Sequence, residues 1–297
     1  MRTDEKAIPA RVERAAFTLS GSRARDIRLG KLVLTYLLLT LIGLSMVLPF
    51  AAMLSQSLKN TGEFLRYPFE WIPKEPSLNN YALLFASSRV LRWTLNSAAI
   101  SLGVVALQLL TCSFAAYAFA RKSFPGRDLL FWMLMLQLIL PYQVTVIPVF
   151  LMLSSLGLIN TYLAFWLPFG TSVFGTFLLR QAFITIPRDY DEAARIDGAN
   201  DFQIFWSVLL PMVRPTLVVL SIFTFLLQWN DFFYPLIVIQ SDEMKTLQVG
   251  LAQLQPIGGE PGVRMAGATY TFVPTFVLFL LLQRYLVTGV QSGGIKG

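Results

Sequence analysis

Long runs without a charged residue constrain the fold of this chain more than any other feature. Leu32–Leu58 contains 27 consecutive uncharged residues, Trp93–Ala120 contains 28 and Leu129–Leu179 contains 51. An α-helix needs about 20 mostly apolar residues to cross the hydrocarbon core of a bilayer. A membrane barrel would instead show short segments of alternating polarity. The runs therefore predict an all-α integral membrane protein.

The composition excludes several other classes. Charged residues make up 14% of the chain, whereas a soluble protein has about a quarter, and the mean hydropathy is +0.59. A water-soluble domain and a disordered chain are both excluded by these values. The single cysteine, Cys112, permits no intrachain disulfide, and the chain has no histidine. Imidazole catalysis and His-metal sites are therefore excluded, and we expect neither a catalytic residue nor a metal site.

The distribution of the runs predicts six spans. The 51-residue run is too long for one crossing, and the polar residues 154–161 are the natural turn between two. The first run is too long for a cleaved signal peptide and no cleavage site follows it, so it is predicted to be a signal anchor. The six helices are predicted at about 32–56, 93–119, 129–153, 162–183, 212–234 and 264–284.

Lysine and arginine predict the orientation of these helices. Seventeen of them lie in residues 1–31, 121–127, 180–214 and after 283, whereas seven lie on the opposite side. The positive-inside rule then places both termini and the segment 184–211 in the cytoplasm. The same asymmetry accounts for the net charge of +7, and no nucleic-acid partner is needed to explain it. The expected location is the cytoplasmic membrane, crossed several times.

The predicted spans contain almost no ionisable group. Asp231, near the outer end of the fifth helix, is the exception, and no Glu, Lys or His lies near a midplane to couple protons. A Walker A motif for ATP is also absent from the sequence. The third helix contains Pro141 and Pro148 and is expected to be kinked. Tyr142 and Gln143 on this helix, and Trp229 and Asn230 on the fifth, are candidates to line a pathway for a neutral polar solute. The alternative is that they serve helix packing.

The segment between the fourth and fifth helices predicts a helix–turn–helix outside the bilayer. Pro187 is placed at a helix start and Gly198 just past its end. Asn200 or Asp201 can cap a second helix, 202–209, which is expected to stop before Pro211.

The first of these two helices has a low-profile face. Ala193 and Ala194 form that face, with Tyr190 and Asp197 one turn to either side and Glu192 beside them. Such a face predicts docking on another protein. The alternative is a helix lying on lipid headgroups, although such helices prefer a basic polar face.

These residues carry a family resemblance. Glu192-Ala193-Ala194, then Gly198, then Val208-Leu209-Leu210-Pro211 match the EAA motif of ATP-binding-cassette importer permeases, with Val208 in place of Ile. The likeness extends from about Asn80 to Gly297 and includes Asn79-Asn80-Tyr81, 141–148, 156–161, Trp229-Asn230-Asp231 and 294–297. The chain resembles the carbohydrate-uptake branch of these importers, and most of all the smaller six-helix permease subunit of maltose-type transporters.

The resemblance implies a type I ABC importer permease fold. Its divisions would be a cytoplasmic tail 1–31, a first span 32–58, an extracytoplasmic loop 59–91, a permease core 92–284 with its coupling loop at 184–211, and a cytoplasmic tail 285–297. It also implies a second, non-identical permease, a dimeric ATPase that uses ATP and Mg²⁺, an extracytoplasmic solute-binding protein and a sugar substrate. Tyr190, Glu192, Ala193, Ala194, Asp197 and Gly198 would contact the ATPase. This chain itself would bind the lipid bilayer but no cofactor.

Two other classes remain open from the residues alone. One is a secondary transporter driven by an ion gradient, and the other is a membrane enzyme or scaffold. Within the importer class, the substrate is a disaccharide, an oligosaccharide, a polyol or a glycerol phosphate ester.

Overall fold

The chain folds as a set of helices, which a computed structural model describes for residues 10–60, 63, 70–86, 88–254 and 261–294. The outermost parts of the predicted terminal tails, 1–9 and 295–297, lie outside the described residues. Numbered along the chain, the α-helices of the described ranges are α1 Ala10–Ser57, α2 Asn79–Phe85, α3 Ser88–Arg121, α4 Arg127–Leu136, α5 Tyr142–Ser155, α6 Leu163–Phe169, α7 Val173–Thr185, α8 Asp189–Ile196, α9 Asp201–Gln203, α10 Leu210–Met212, α11 Arg214–Asn230, α12 Phe233–Val238, α13 Leu247–Gln253 and α14 Pro261–Gly294.

Three helices are long and apolar enough to cross a membrane: they lie in Leu29–Ser57, Arg89–Arg121 and Pro261–Gln283. Three further helix pairs pass the same test together but are bent, so the described chain contains up to six spans. Many of the large apolar side chains of these helices are exposed, and none of the most hydropathic part of α1 is buried within the chain. A surface of this kind requires lipid or another apolar partner, which agrees with the predicted membrane class.

The predicted third span, 129–153, differs from the structure because it consists of two helices. α4 and α5 meet at 101°. Leu140 and Pro141 between them are both extended, with ψ of 120° and 130°. A residue before proline is driven out of the helical region by the proline ring, so Pro141 ends one helix and begins the next. The sequence predicted a kink here but not two nearly perpendicular helices.

The predicted fourth span, 162–183, is also broken, by 46° between α6 and α7. Side chains of α3 satisfy the backbone at this break. Gln108 Nε2 donates to Phe169 O at 2.8 Å, and Thr111 Oγ1 donates to Gly170 O at 2.7 Å. Gln108 Oε1 in turn accepts from Thr224 Oγ1 of α11 at 2.7 Å. Irregular backbone inside a membrane protein is stable only when its polar groups are paired in this way.

The fifth span ends before the predicted 234, and the chain bends by 76° between Met212 and Arg214, close to its predicted start. α11 ends at Asn230, where Asp231 adopts extended backbone with ψ of 130°. The Asp231 carboxylate accepts from Phe233 N at 3.1 Å and so begins α12. Asp231 therefore lies at the end of this span, as predicted, and its carboxylate pairs with the first backbone N–H group of α12.

Candidate functional site

The helix α8 is formed by local rules that are visible in the sequence. Its first turn holds Asp189, Asp191 and Glu192, which favour the positive end of the helix dipole. Its C-terminal end is closed by Gly198 at φ +85°. Gly198 N donates to Arg195 O at 3.0 Å, and Ala199 N donates to Ala194 O at 2.9 Å. Both hydrogen bonds of a Schellman motif are therefore present, and the predicted helix end at Gly198 is confirmed.

The second predicted helix begins as expected but does not stop where expected. Asn200 and Gln203 form a reciprocal capping box, with backbone-to-side-chain distances of 2.9 and 2.8 Å. The following residues, Ile204–Leu209, form wider π turns, and the chain stays helical through Pro211 to Met212. Proline in a regular α-helix crowds the carbonyl four residues earlier. The π turns precede Pro211 directly and relieve that crowding, so the prediction of a stop before Pro211 was wrong.

A buried ion pair fastens α8 to the end of α3. Arg121 Nε lies 3.5 Å from Asp191 Oδ2, and both side chains are more than 90% buried. Arg121 Nη2 also donates to Ile186 O at 2.7 Å. Sequence reasoning missed this pair because it treated Asp191 as one of three acids on a helix start. The two residues are 70 positions apart, so only the fold brings them together.

A second, more exposed pair holds the next turn. Lys122 Nζ contacts the carboxylate of Asp201, and Tyr117 Oη donates to Asp201 O at 3.3 Å. The hydrogen bond from Lys122 lowers the pKa of Asp201 below its usual value. Burial lowers the pKa of Lys122, but the hydrogen bond and charge of Asp201 outweigh that effect and raise it. The segment from α8 to α10 is thus anchored at the C-terminal end of α3, by Arg121 and by Lys122, the residue that follows this helix.

The opposite surface of this segment is exposed. Tyr190 is 49% exposed and Ile196 is 87% exposed, with Glu192, Ala193, Asp197 and Gly198 exposed around them. Ala194 differs, because it is half-buried and packs against the apolar cluster of α3 and α7. The structure therefore separates the two alanines that the sequence placed on one face. Phe202 and Trp206 add a stacked aromatic pair, 6.2 Å between centroids, which is more than half exposed.

The candidate pathway residues occupy three different environments. Tyr142 and Gln143 are exposed on the first turn of α5, directly after the sharp break, and the Tyr142 ring packs edge-on against Phe233. Asn230 is exposed at the end of α11. Trp229 is only 4% exposed; its indole donates to Thr271 O at 3.2 Å and stacks on Phe225. The structure therefore places Trp229 in the packing between α11 and α14.

Asn230 also lines a cavity of about 550 Å³ between α11, α13 and α14. Ligand pockets in proteins usually measure about 300–1,000 Å³. Within the described part of the chain, no three His, Cys, Asp or Glu side chains are placed to hold a metal ion.

Up to six membrane-spanning stretches in the described chain, a short helix held by a buried ion pair and a cavity at the end of α11 are typical of a membrane transport component. Residues 108–292 match the family described as binding-protein-dependent transport system inner membrane component. The match covers more than half of the chain, and the chain belongs to this family.

The relatives agree with this family. The chain is 34% identical over 255 residues to the arabinooligosaccharides transport system permease protein AraQ of Halalkalibacterium halodurans, covering 84% of this chain and 91% of the relative. It is 32% identical over 273 residues to the diacetylchitobiose uptake system permease protein NgcG of Streptomyces coelicolor, covering 89% and 88%. A chain of a bacterial ABC transporter that imports alginate has the same fold, with a TM-score of 0.78, 22% identity and coverage of 85% and 95%.

Membership of this family makes the chain a permease subunit of an ABC importer. Such subunits are not enzymes, since the ATPase is a separate subunit. The chain is a multi-pass protein of the inner membrane. The helical type I permease fold expected from the EAA motif is confirmed.

Proposed function

We propose that this chain is one of two non-identical permease subunits of an ATP-driven importer that carries a sugar by alternating access. The α8–α10 segment carries this proposal. It is anchored to α3 by the Arg121–Asp191 pair and presents an exposed surface to the outside of the chain. Because the α8–α10 segment is attached to α3 on one side and exposed on the other, it is suited to transmit movement from a second protein to the spans.

In this proposal the second protein is a dimeric ATPase that binds ATP and Mg²⁺, while this chain binds no cofactor. Tyr190, Glu192, Ala193, Asp197 and Gly198 form the contact surface. Ala194 supports that surface from behind, because it packs on the chain's own core. Closure of the ATPase dimer moves α8, and α8 moves α3 through Arg121.

The solute side of the proposal rests on the polar residues and the relatives. Tyr142, Gln143 and Asn230 are exposed and uncharged, so they are suited to hydrogen-bond a sugar hydroxyl. Trp229 supports Asn230 by packing behind it. Relatives named for arabinooligosaccharides and diacetylchitobiose support a sugar as the carried class. An extracytoplasmic solute-binding protein delivers this sugar, in keeping with the binding-protein-dependent family.

The proposed topology has six spans, of which α4 with α5 forms the third, α6 with α7 the fourth and α11 the fifth, and both termini lie in the cytoplasm. Residues 1–31 and 285–297 are then cytoplasmic tails, 32–58 is the first span, 59–91 is an outer loop, and 92–284 is the core with its coupling loop at 184–211. Reporter tags at Thr3 and after Gly297 should report cytoplasm, and a tag at Lys74 the exterior. A C-terminus outside would contradict the six-span topology.

The decisive experiment reconstitutes this chain with a second permease, an ATPase and a solute-binding protein from the same organism. We expect sugar uptake that requires ATP, persists with an ionophore and fails when either permease is omitted. Uptake that continues without ATP and collapses with the ionophore would contradict the proposal, as would ATP hydrolysis by this chain alone.

A further inference from the structure

The cavity beside Asn230 carries one unusual charge. It is lined by the end of α11, by α13 and by the first half of α14, and its polar lining consists of Asn230, Gln248, Arg264, Thr271 and Thr275. Arg264 is the only charged residue of this lining. It stands on the first turn of α14, at the start of a membrane-spanning stretch. At this end of the stretch a guanidinium can reach the interface, and the Arg264 side chain is exposed there to a ligand.

The neighbouring cations differ from Arg264 because they are neutralised within the chain. Arg89 lies 3.1 Å from Asp242, Arg92 lies 3.3 Å from Glu243, and Lys245 lies 2.6 Å from Asp242. No ion pair joins Arg264 to any acid of the described residues, and its side chain is exposed. The chain thus supplies partners to three cations nearby and leaves the one in the cavity available for a ligand.

The other polar groups of the cavity suit the neutral part of a saccharide. Gln248 Nε2 donates to Asn230 Oδ1 at 3.5 Å, which is a long hydrogen bond, and Asn230 Nδ2 donates to Leu226 O at 2.8 Å. The Gln248 carbonyl oxygen and the second N–H of each amide remain for a ligand. Thr275 Oγ1 is buried and has no hydrogen-bond partner within the described chain. A buried hydroxyl without a partner is unfavourable unless a ligand or water satisfies it. Leu251 and Phe272 supply an apolar wall.

We infer that this cavity is a solute subsite for a saccharide bearing an oxyanion, either a uronate carboxylate or a phosphate ester. The inference rests on the proposed function and narrows its substrate class. Arg264 binds the oxyanion, because a guanidinium offers two parallel N–H donors that match a carboxylate or phosphate. Asn230 and Gln248 bind sugar hydroxyls. The volume of about 550 Å³ accommodates a sugar ring with its charged substituent.

The test measures access to the cavity in the complete transporter held in phosphatidylcholine nanodiscs. Cys112 is buried and is the only cysteine of this chain, so Cys112→Ser with Ala268→Cys gives this chain a single reporter thiol on the exposed cavity wall, and labelling is read on this subunit after the subunits are separated. The rate of maleimide labelling is then measured with glucuronate, glucose 6-phosphate or glucose. The concentration that halves the labelling rate should be at least about tenfold lower for each of the two anionic sugars than for glucose.

Variants assign this effect to one residue. Arg264→Gln should raise the half-protecting concentration of glucuronate by about ten- to a hundredfold, and Arg264→Lys by less, because an ammonium keeps the charge but loses the paired donors. Arg92→Gln removes a neighbouring charge outside the cavity and is the matched control, which should leave protection unchanged. Equal protection by glucose, absence of protection, or an unchanged Arg264→Gln response would overturn the inference.

A lipid headgroup is a second source of the same oxyanion. Slower labelling in nanodiscs that contain phosphatidylglycerol, with no further effect of glucuronate in either lipid, would assign Arg264 to lipid and overturn the solute subsite. The labelling assay needs no ATP, so its outcome is separable from that of the proposed function. ATP-driven uptake of sugar without any anion preference at the cavity would contradict this inference alone.

Discussion

Arg121 and Asp191 form an ion pair inside the chain, 3.5 Å from Nε to Oδ2, at the point where α8 meets the last turn of α3. Arg121 joins that contact to the backbone at Ile186 as well. The Arg121 side chain therefore connects the membrane-spanning helix α3 both to Ile186, just after α7, and to Asp191 in α8. The pair is the structural link on which we expect coupling to depend.

Removing one partner of this pair should damage the link more than removing both. Asp191→Leu leaves the Arg121 charge buried and unpaired, which costs about 3–5 kcal/mol. We expect less protein to be inserted in the membrane. We also expect lower uptake when it is divided by the amount of ATPase retained there. The double variant Arg121→Met with Asp191→Leu should recover most of the inserted protein, since an apolar pair of similar volume is tolerated. Asp189→Leu on the exposed surface of the same helix is the control; an equal loss in that variant would contradict the assigned role of the pair.

Gly198→Asp should leave the chain inserted but abolish transport. The left-handed φ of +85° costs any residue with a Cβ about 1–2 kcal/mol, although the added Cβ would meet no atom of the chain within 4 Å. The protein should therefore fold, while the altered turn and new charge disturb the docking surface. ATPase retained in membranes and uptake are measured side by side. Gly198→Asn adds a side chain of similar size without the charge, so it should be milder, and normal transport by Gly198→Asp would refute the docking role.

The two alanines should respond differently to the same substitution. Ala193→Asp places a carboxylate on the exposed surface, so we expect normal insertion and loss of retained ATPase. Ala194→Asp places it against the apolar cluster of α3 and α7, where a buried charge is costly, so insertion itself should fall. Glu192→Ala removes one contact without adding a clash and should reduce uptake only mildly. Identical behaviour of Ala193→Asp and Ala194→Asp would show that the orientation of α8 is wrong.

The Lys122–Asp201 pair should stabilise the segment at neutral pH and fail in acid. The lowered pKa of Asp201 means that its contribution is complete above the ordinary carboxyl pKa of about 4 and is lost as pH falls through the lower folded value. Lys122, with its raised pKa, would lose its contribution only at strongly alkaline pH. An exposed pair contributes at most about 1 kcal/mol to stability. The Tm of the parent chain should therefore exceed that of Asp201→Asn by a small and constant amount from about pH 6 to 8. This difference in Tm should vanish below the folded pKa of Asp201. A difference that grows in acid would contradict this assignment.

Gln143→Ala and Asn230→Ala should change the rate or preference of uptake while the complex still assembles. Both side chains are exposed, so their loss removes little packing. Trp229→Ala should instead lower assembly, because it empties a buried position that packs on Phe225 and bonds to Thr271 O. If uptake per assembled complex is unchanged in Gln143→Ala and Asn230→Ala, a packing role for these two residues is favoured.

Local rules explain what the sequence predicted well. The start of α8 near Pro187 and its end at Gly198, and the Asn200 cap, depend on residues within a few positions of one another. Pro141 likewise predicted a kink. The 101° angle at that kink depends on how α4 and α5 pack with other elements, so no local pattern contains it.

Contacts between distant residues account for what sequence reasoning missed. Asp191 has the same local context as Asp189, yet only Asp191 faces Arg121. Ala194 and Ala193 are adjacent, and only the position of α8 against α3 and α7 decides which of them faces inward. The sequence signal for the cavity was also weak, because Asn230, Gln248 and Arg264 come from three separate elements.

The Gln108 side chain, on the second span, connects this span to the fourth and the fifth by hydrogen bonds. It is bonded both to the break in the fourth span and to Thr224 of the fifth, so sliding these helices apart would strand polar groups in hydrocarbon. Arg121 lies on the same helix, 13 residues or about 20 Å further along. If α8 is the coupling helix, we expect a push on it to tilt these three spans together. We expect bending to occur at Leu140–Pro141 and at Val213, because the two most sharply bent helix pairs of the described chain meet there.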